Sequence, residues 1–124
     1  MKTKILIFII LCLVIVGSCT KDTIKPKVIP VVKDVSFSTS IYPLFSTHNC
    51  TECHGGFGGL ILSGTPSAVL TSLLHSNTPA VIPGSSATSK LYTNFNGVSH
   101  NGRTFSSTEV ASIKSWIDAG AKNN

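Results

Sequence analysis

The stretch "HNCTECHGG", residues 48–56, decides how the rest of the chain is read. Cys50 and Cys53 are separated by two polar residues, and His54 follows directly. Two thiols and an imidazole at this spacing serve three chemistries: a zinc site, a redox dithiol, or covalent attachment of haem. A redox dithiol sits at the start of a helix that follows a strand, whereas the residues before Cys50 read as a helix. A structural zinc ion takes four ligands. Cys50 and Cys53 could draw two more from His54, His75 and His100, but the spacing matches no common finger. His54, adjacent to Cys53, is also poorly placed to share one tetrahedral ion with it.

The start of the chain fixes the compartment. "MKTK" is basic, and "ILIFIILCLVIV" (residues 5–16) is an apolar run of twelve, followed by "VGSC" at Val16–Cys19. A charged start, a short apolar core and small residues before a cleavage point describe an export signal. A membrane span needs roughly 20 apolar residues. "VGSC" resembles the bacterial lipoprotein signal, whose cysteine is lipidated and becomes the mature N-terminus; an ordinary signal with an incidental cysteine is the alternative. The next stretch, "TKDTIKPKVIPVVKD", has no helical or strand period and reads as an extended tether. The expected organisation is therefore a lipoprotein signal peptide (1–18), a tether after lipidated Cys19 (19–35) and one domain (36–124). The protein is expected in the bacterial cell envelope, on the periplasmic side or outer surface, anchored to the membrane through its N-terminal lipid.

Export returns the decision to residues 48–56. Cys12 leaves with the signal and Cys19 is taken by lipid, so Cys50 and Cys53 alone serve the domain, in a compartment where thioethers persist. Cys-x-x-Cys-His is the c-type haem attachment signature. The two cysteines reach the two vinyl groups of one porphyrin, and the adjacent histidine is directed at the iron. One covalent haem c is expected, with Cys50 and Cys53 as thioether donors and His54 as proximal ligand. A domain this small is near the lower size limit for a self-sufficient core, and a porphyrin would add to it. The formal charge of +5 is misleading. Lys2 and Lys4 leave with the signal, and Lys21, Lys25, Lys27 and Lys33 lie in the tether, where they suit anionic lipid heads. Lys90, Arg103, Lys114 and Lys122 face Glu52, Glu109 and Asp118 in a nearly neutral domain. Without a basic stripe, nucleic-acid binding is not expected.

Helical signals run through the domain. "SIYPLFSTH" (Ser40–His48) reads as a short helix capped by Ser40, with Pro43 in its first turn. Ile41, Leu44 and Phe45 share a face, joined by Phe37. "GGFGGLILSG" interrupts regular structure. Thr65 and Pro66 then open a second helix carrying Val69, Leu70, Leu73 and Leu74. "NTPAVIPGSS" is a loop, and "SATSKLYTNF" predicts a short helix with Leu91, Tyr92 and Phe95 on one side. In the last segment, Ser106 and Glu109 form a capping box and Phe105 with Val110 a hydrophobic staple. Val110, Ile113, Trp116 and Ile117 make one stripe, and Gly120 supplies the stop.

Taken together, "IYPLF", "CTECHG", "GGLIL", "IPGSSATSKLY" and "SWIDAGA" resemble the small class I-like cytochromes c, and more closely the planctomycete-type cytochrome c domain, over about Ser36 to Ala121. The resemblance implies an all-α fold of short helices around one haem, with the first and last helices crossing. Trp116 and Ile117 would pack that crossing and the haem edge, or serve simply as core. The family's second axial ligand is a methionine shortly before the last helix. Here that stretch is "GVSHNGRTFSS", and the only methionine in the chain is Met1. His100 is therefore expected as the distal ligand, in a loop freed by Gly97 and Gly102. His75 is its competitor and an open iron site the third possibility, while His48 lies too close to Cys50. The implied function is a membrane-anchored electron carrier serving redox protein partners, not an enzyme. The alternatives are an open-site haem domain, with His100, Asn101 and Arg103 facing gas or peroxide, or an accessory haem lipoprotein.

Overall fold

The computed structural model describes residues 32–56 and 58–124. The signal peptide, Cys19 and the tether as far as residue 31 lie outside the described residues, as does Phe57. Those described are helical and include no strand. No helix among them is long and apolar enough to cross a membrane.

The first helical segment starts earlier than expected. Ser36, not Ser40, is its cap, with Oγ accepting from the Thr39 N–H at 3.4 Å. A π-turn, Phe37–Ile41, runs directly into α1, Tyr42–Thr47. Pro43 explains the wide turn. It has no N–H to give, and its ring would crowd the carbonyl four residues back in a regular helix. The Tyr42 N–H instead bonds to the Phe37 carbonyl five residues back, which shifts the register just before the proline. Phe37, Ile41 and Phe45 emerge on one face and are buried.

α2, Pro66–His75, begins as the sequence requires, with Thr65 Oγ accepting from the Ala68 N–H and Val69, Leu70 and Leu73 turned inward. The expected helix in "SATSKLYTNF" is divided into a 3₁₀ turn, Ser86–Thr88, and α3, Lys90–Thr93. Ser89 is the reason. Its fully buried hydroxyl accepts from the Ile82 N–H at 2.8 Å and donates to the Ser85 carbonyl at 2.8 Å, side-chain bonds that compete with helical ones. Leu91, Tyr92 and Phe95 are buried as expected.

α4, Ser107–Asp118, has both bonds of the Ser106–Glu109 capping box. It ends in a Schellman turn: Gly120, at φ +99°, donates to the Ile117 carbonyl, and Ala121 donates to the Trp116 carbonyl. The Pro-Gly loop docks on this end of the helix. Gly84 donates to the Ile117 carbonyl, and the Ser86 N–H to Asp118 Oδ1. Burial would raise the Asp118 pKa, but bonds from Lys114 and Ser86 hold it below the ordinary value. α4 packs against the first helical segment, with Trp116 and Phe37 stacked at 5.1 Å. Asn124 clasps the start of that segment through its carbonyl, which accepts from the Ser38 N–H, and its Oδ1, which accepts from the Phe37 N–H.

Candidate functional site

The Cys motif follows α1 through Asn49, held at φ +53°, a left-handed conformation that asparagine tolerates. Cys50–Glu52 then forms a 3₁₀ turn. In that geometry residues i and i+3 are eclipsed, so two residues between the cysteines bring Cys50 and Cys53 to one side. The His54 N–H donates to the Cys50 carbonyl at 3.0 Å. Gly55 is required by space, because a Cβ there would lie 2.6 Å from the Thr51 carbonyl oxygen. Both thiols are free, with Cys50 buried and Cys53 exposed. Burial pushes the Cys50 thiol above its ordinary value, although the charge of Arg103 pulls the other way. A redox dithiol depends on a lowered thiol pKa.

His54 is oriented by the backbone. Its Nδ1 lies 3.3 Å from the Leu60 carbonyl oxygen. A carbonyl can only accept, so Nδ1 carries the proton and Nε2 keeps its lone pair for a metal. The Leu62 N–H in turn donates to the His54 carbonyl at 2.7 Å.

His100 is carried on a two-residue hairpin. His100 and Arg103 exchange both backbone hydrogen bonds at 3.0 Å. Asn101 and Gly102 between them have φ of +50° and +77°, the pattern of a type I′ turn and its Asn-Gly preference. Phe95 packs against His100 at 5.7 Å and stacks on Phe105 at 4.2 Å. Phe105 meets the His48 ring edge at 4.5 Å.

Cys50, Cys53, His54 and His100 line one cleft of about 250 Å³, walled by apolar side chains that include Phe45, Leu73, Leu91 and Phe95. The imidazoles of His54 and His100 are 6.4 Å apart between centroids, with planes 20° from parallel. Two imidazoles bound to one metal ion from opposite sides, through bonds of about 2 Å, have centroids about 6 Å apart. A larger groove, about 550 Å³, runs between residues 32–35 and α4 but has neither cysteine nor histidine in its lining. Among the described residues no three His, Cys, Asp or Glu side chains converge as a metal-holding group, so the four ligands of a structural zinc site are not assembled.

The remaining site expectations fall elsewhere. His75 is exposed at the end of α2, and its side chain does not line the cleft. Trp116 does not line the cleft either. It is buried against Phe37, with Nε1 donating to the Lys122 carbonyl at 2.9 Å, which is the core role rather than a place at the cleft edge. His48 Nε2 is 2.9 Å from Glu109 Oε1, joining the Cys motif to the start of α4. Burial acts to raise the Glu109 pKa, but bonds from His48 and Ser106 hold it below the ordinary carboxylate value. The Arg103 guanidinium is engaged by the His48 carbonyl and Glu52. Neither the Leu60 carbonyl nor the Arg103 contacts are legible in the motif. A backbone acceptor has no sequence signal, while the Asn-Gly pair marks the His100 turn. Comparison of the chain with protein-family models, curated proteins and solved structures found no match.

Proposed function

We propose that the chain is a mono-haem c-type electron carrier with a cytochrome c-like fold, tethered to the cell envelope by lipid on Cys19. The observation that carries this reading is the pairing of His54 and His100 across a cleft that also holds Cys50 and Cys53. Cys50 and Cys53 would hold the group as thioethers, and His54 and His100 would ligate its iron. The haem would supply a reversible one-electron couple. The Leu60 carbonyl would fix the tautomer and orientation of His54 so that Nε2 is the nitrogen left to meet the iron. Phe45, Leu73, Leu91 and Phe95 would exclude water from the site. A cleft of about 250 Å³ is below the usual small-molecule range of about 300–1,000 Å³. Seating a porphyrin would require this cleft to widen. A shared iron would require the lone-pair nitrogens of both imidazoles, whose centroids are 6.4 Å apart, to turn toward the centre of the cleft.

Two histidine ligands in place of histidine and methionine would lower the potential. Arg103 lines the cleft with its guanidinium bonded to Glu52 and the His48 carbonyl, an arrangement that favours the carrier over the open-site alternative. Redox protein partners would exchange electrons at the envelope.

Expression in a host competent for cytochrome c maturation tests the proposal. Denaturing gels should retain haem staining, and Cys50→Ala with Cys53→Ala should abolish it. The oxidised protein should be low-spin. His100→Ala should make it high-spin and open to carbon monoxide when reduced, whereas His75→Ala should leave the spectrum unchanged. Stoichiometric zinc without haem from such a host would overturn the reading. Mass spectrometry of the mature N-terminal peptide should find an acylated Cys19, and an unmodified N-terminus elsewhere would remove the lipid anchor from the proposal.

A further inference from the structure

We propose that Arg103 is a positioning residue, a latch that holds the His100 hairpin against the Cys50–His54 turn and so keeps the second imidazole opposite the first. The inference rests on reading His54 and His100 as a ligand pair.

The hairpin cannot place His100 unaided. It consists of one bridged residue pair, and even complete two-stranded hairpins are marginal in water. Its surroundings are permissive: Gly97 is at φ +79°, and Val98 is 53% exposed. Phe95 packs edge-on against the His100 ring. Polar contact with the Cys motif comes from Arg103. Its Nε donates to the His48 carbonyl at 3.0 Å and its Nη2 to Glu52 Oε2 at 2.5 Å, while Nη1 reaches the Asn101 carbonyl within the hairpin at 3.4 Å. His48 lies two residues before Cys50, and Glu52 lies between the cysteines. The guanidinium therefore grips the turn carrying the thiols and, through its own backbone, the turn carrying His100.

The two outer bonds are not equal. The Glu52 side chain is 63% exposed, and exposed ion pairs are weak and screened by salt. The His48 carbonyl bond is part-buried and carries more of the hold. Glu52 orients the planar fork so that Nε meets that carbonyl, which a lysine cannot reproduce.

The test uses the haem-loaded protein with Arg103→Ala, Arg103→Lys, Glu52→Gln and His100→Ala. Arg103→Ala should retain one covalent haem per chain but lower the ratio of closed low-spin to open high-spin protein about tenfold or more, as loss of a charge-assisted bond does. Carbon monoxide binding to the reduced protein should rise accordingly. Arg103→Lys should fall between Arg103→Ala and wild type, and Glu52→Gln should have the smallest effect. Adding Arg103→Ala to His100→Ala should change the spectrum no further, whereas a general structural role would add to it. A wild-type spectrum and carbon monoxide rate in Arg103→Ala would overturn the latch. Should Arg103→Ala fail to accumulate, wild-type behaviour of both Arg103→Lys and Glu52→Gln would overturn it, and graded opening would support it. If the wild-type chain carries no covalent haem, the functional reading fails, and the latch is judged by amide hydrogen exchange instead. Faster exchange at His100 and Arg103 in Arg103→Ala, with α4 unchanged, supports it; unchanged exchange overturns it.

Discussion

The crossing of the first helical segment with α4 and the cleft between His54 and His100 are built on different terms. At the crossing, Trp116 and Phe37 are almost wholly buried and stacked, and the helix ends are closed by a capping box and a Schellman turn. Around the cleft, a 3₁₀ turn, a run of glycines and a two-residue hairpin hold their places through bonds between residues far apart in sequence, such as Arg103 to His48. Burial sets the stability of the first region, and a few directed bonds set the geometry of the second. Functional residues often sit in such low-density segments supported by a denser scaffold. The His48–Glu109 pair connects the two.

Four substitutions test that division, in descending order of effect. Trp116→Ala removes the largest fully buried side chain and should cost about 3–5 kcal/mol in urea denaturation. Since domains of this kind have about 5–15 kcal/mol in total, much of the protein should unfold at mild denaturant. A cost below about 1 kcal/mol, within the range of a surface change, would show that the crossing is not the scaffold.

Gly55→Ala drives a methyl group against the Thr51 carbonyl and should cost about 1–3 kcal/mol, as overpacking does. Its signature should be local, with the His54 NMR resonances displaced and α4 amide exchange preserved. Equal loss of protection in α4 would mean that the two regions are one cooperative unit.

Ser106→Ala removes the cap of α4 and should cost about 1 kcal/mol, read as a lowered denaturation midpoint at unchanged slope. It belongs to the scaffold and should leave the His54 resonances in place.

Glu109→Gln keeps a capping-box side chain but loses the charge facing His48. Because the folded-state pKa of Glu109 lies below its ordinary 4.5, its contribution is present above that value and is lost as pH falls through the lower folded value. The variant should show a shallower acid decline and, at neutral pH, a loss of about 0.2–1 kcal/mol. Identical acid limbs in both proteins would exclude Glu109 as the connector.

The contrast between regions also decides what was legible. α4 could be read in full, because a capping box, an apolar stripe and a glycine stop are local signals that agree with one another. α2 was readable for the same reason. The start of the first helical segment was not, since Phe37, which stacks on Trp116, belongs to a turn begun by Ser36, and Pro43 disguises its register. Ser89 divides α3 from the preceding turn because its hydroxyl finds partners at Ile82 and Ser85 that no helical pattern announces.

By itself the sequence determined the helical class, the Cys50–Cys53–His54 grouping and the absence of a methionine near the last helix. These are properties of residue type and short spacing, which survive without knowledge of the fold. Tertiary structure alone decided that His100, rather than His75, faces His54, that the Leu60 carbonyl fixes the His54 tautomer, that Trp116 serves the core, and that Arg103 spans the hairpin and the Cys turn. Each depends on distances between residues remote in sequence. Those distances are set by how the apolar faces pack, and local pattern does not encode them.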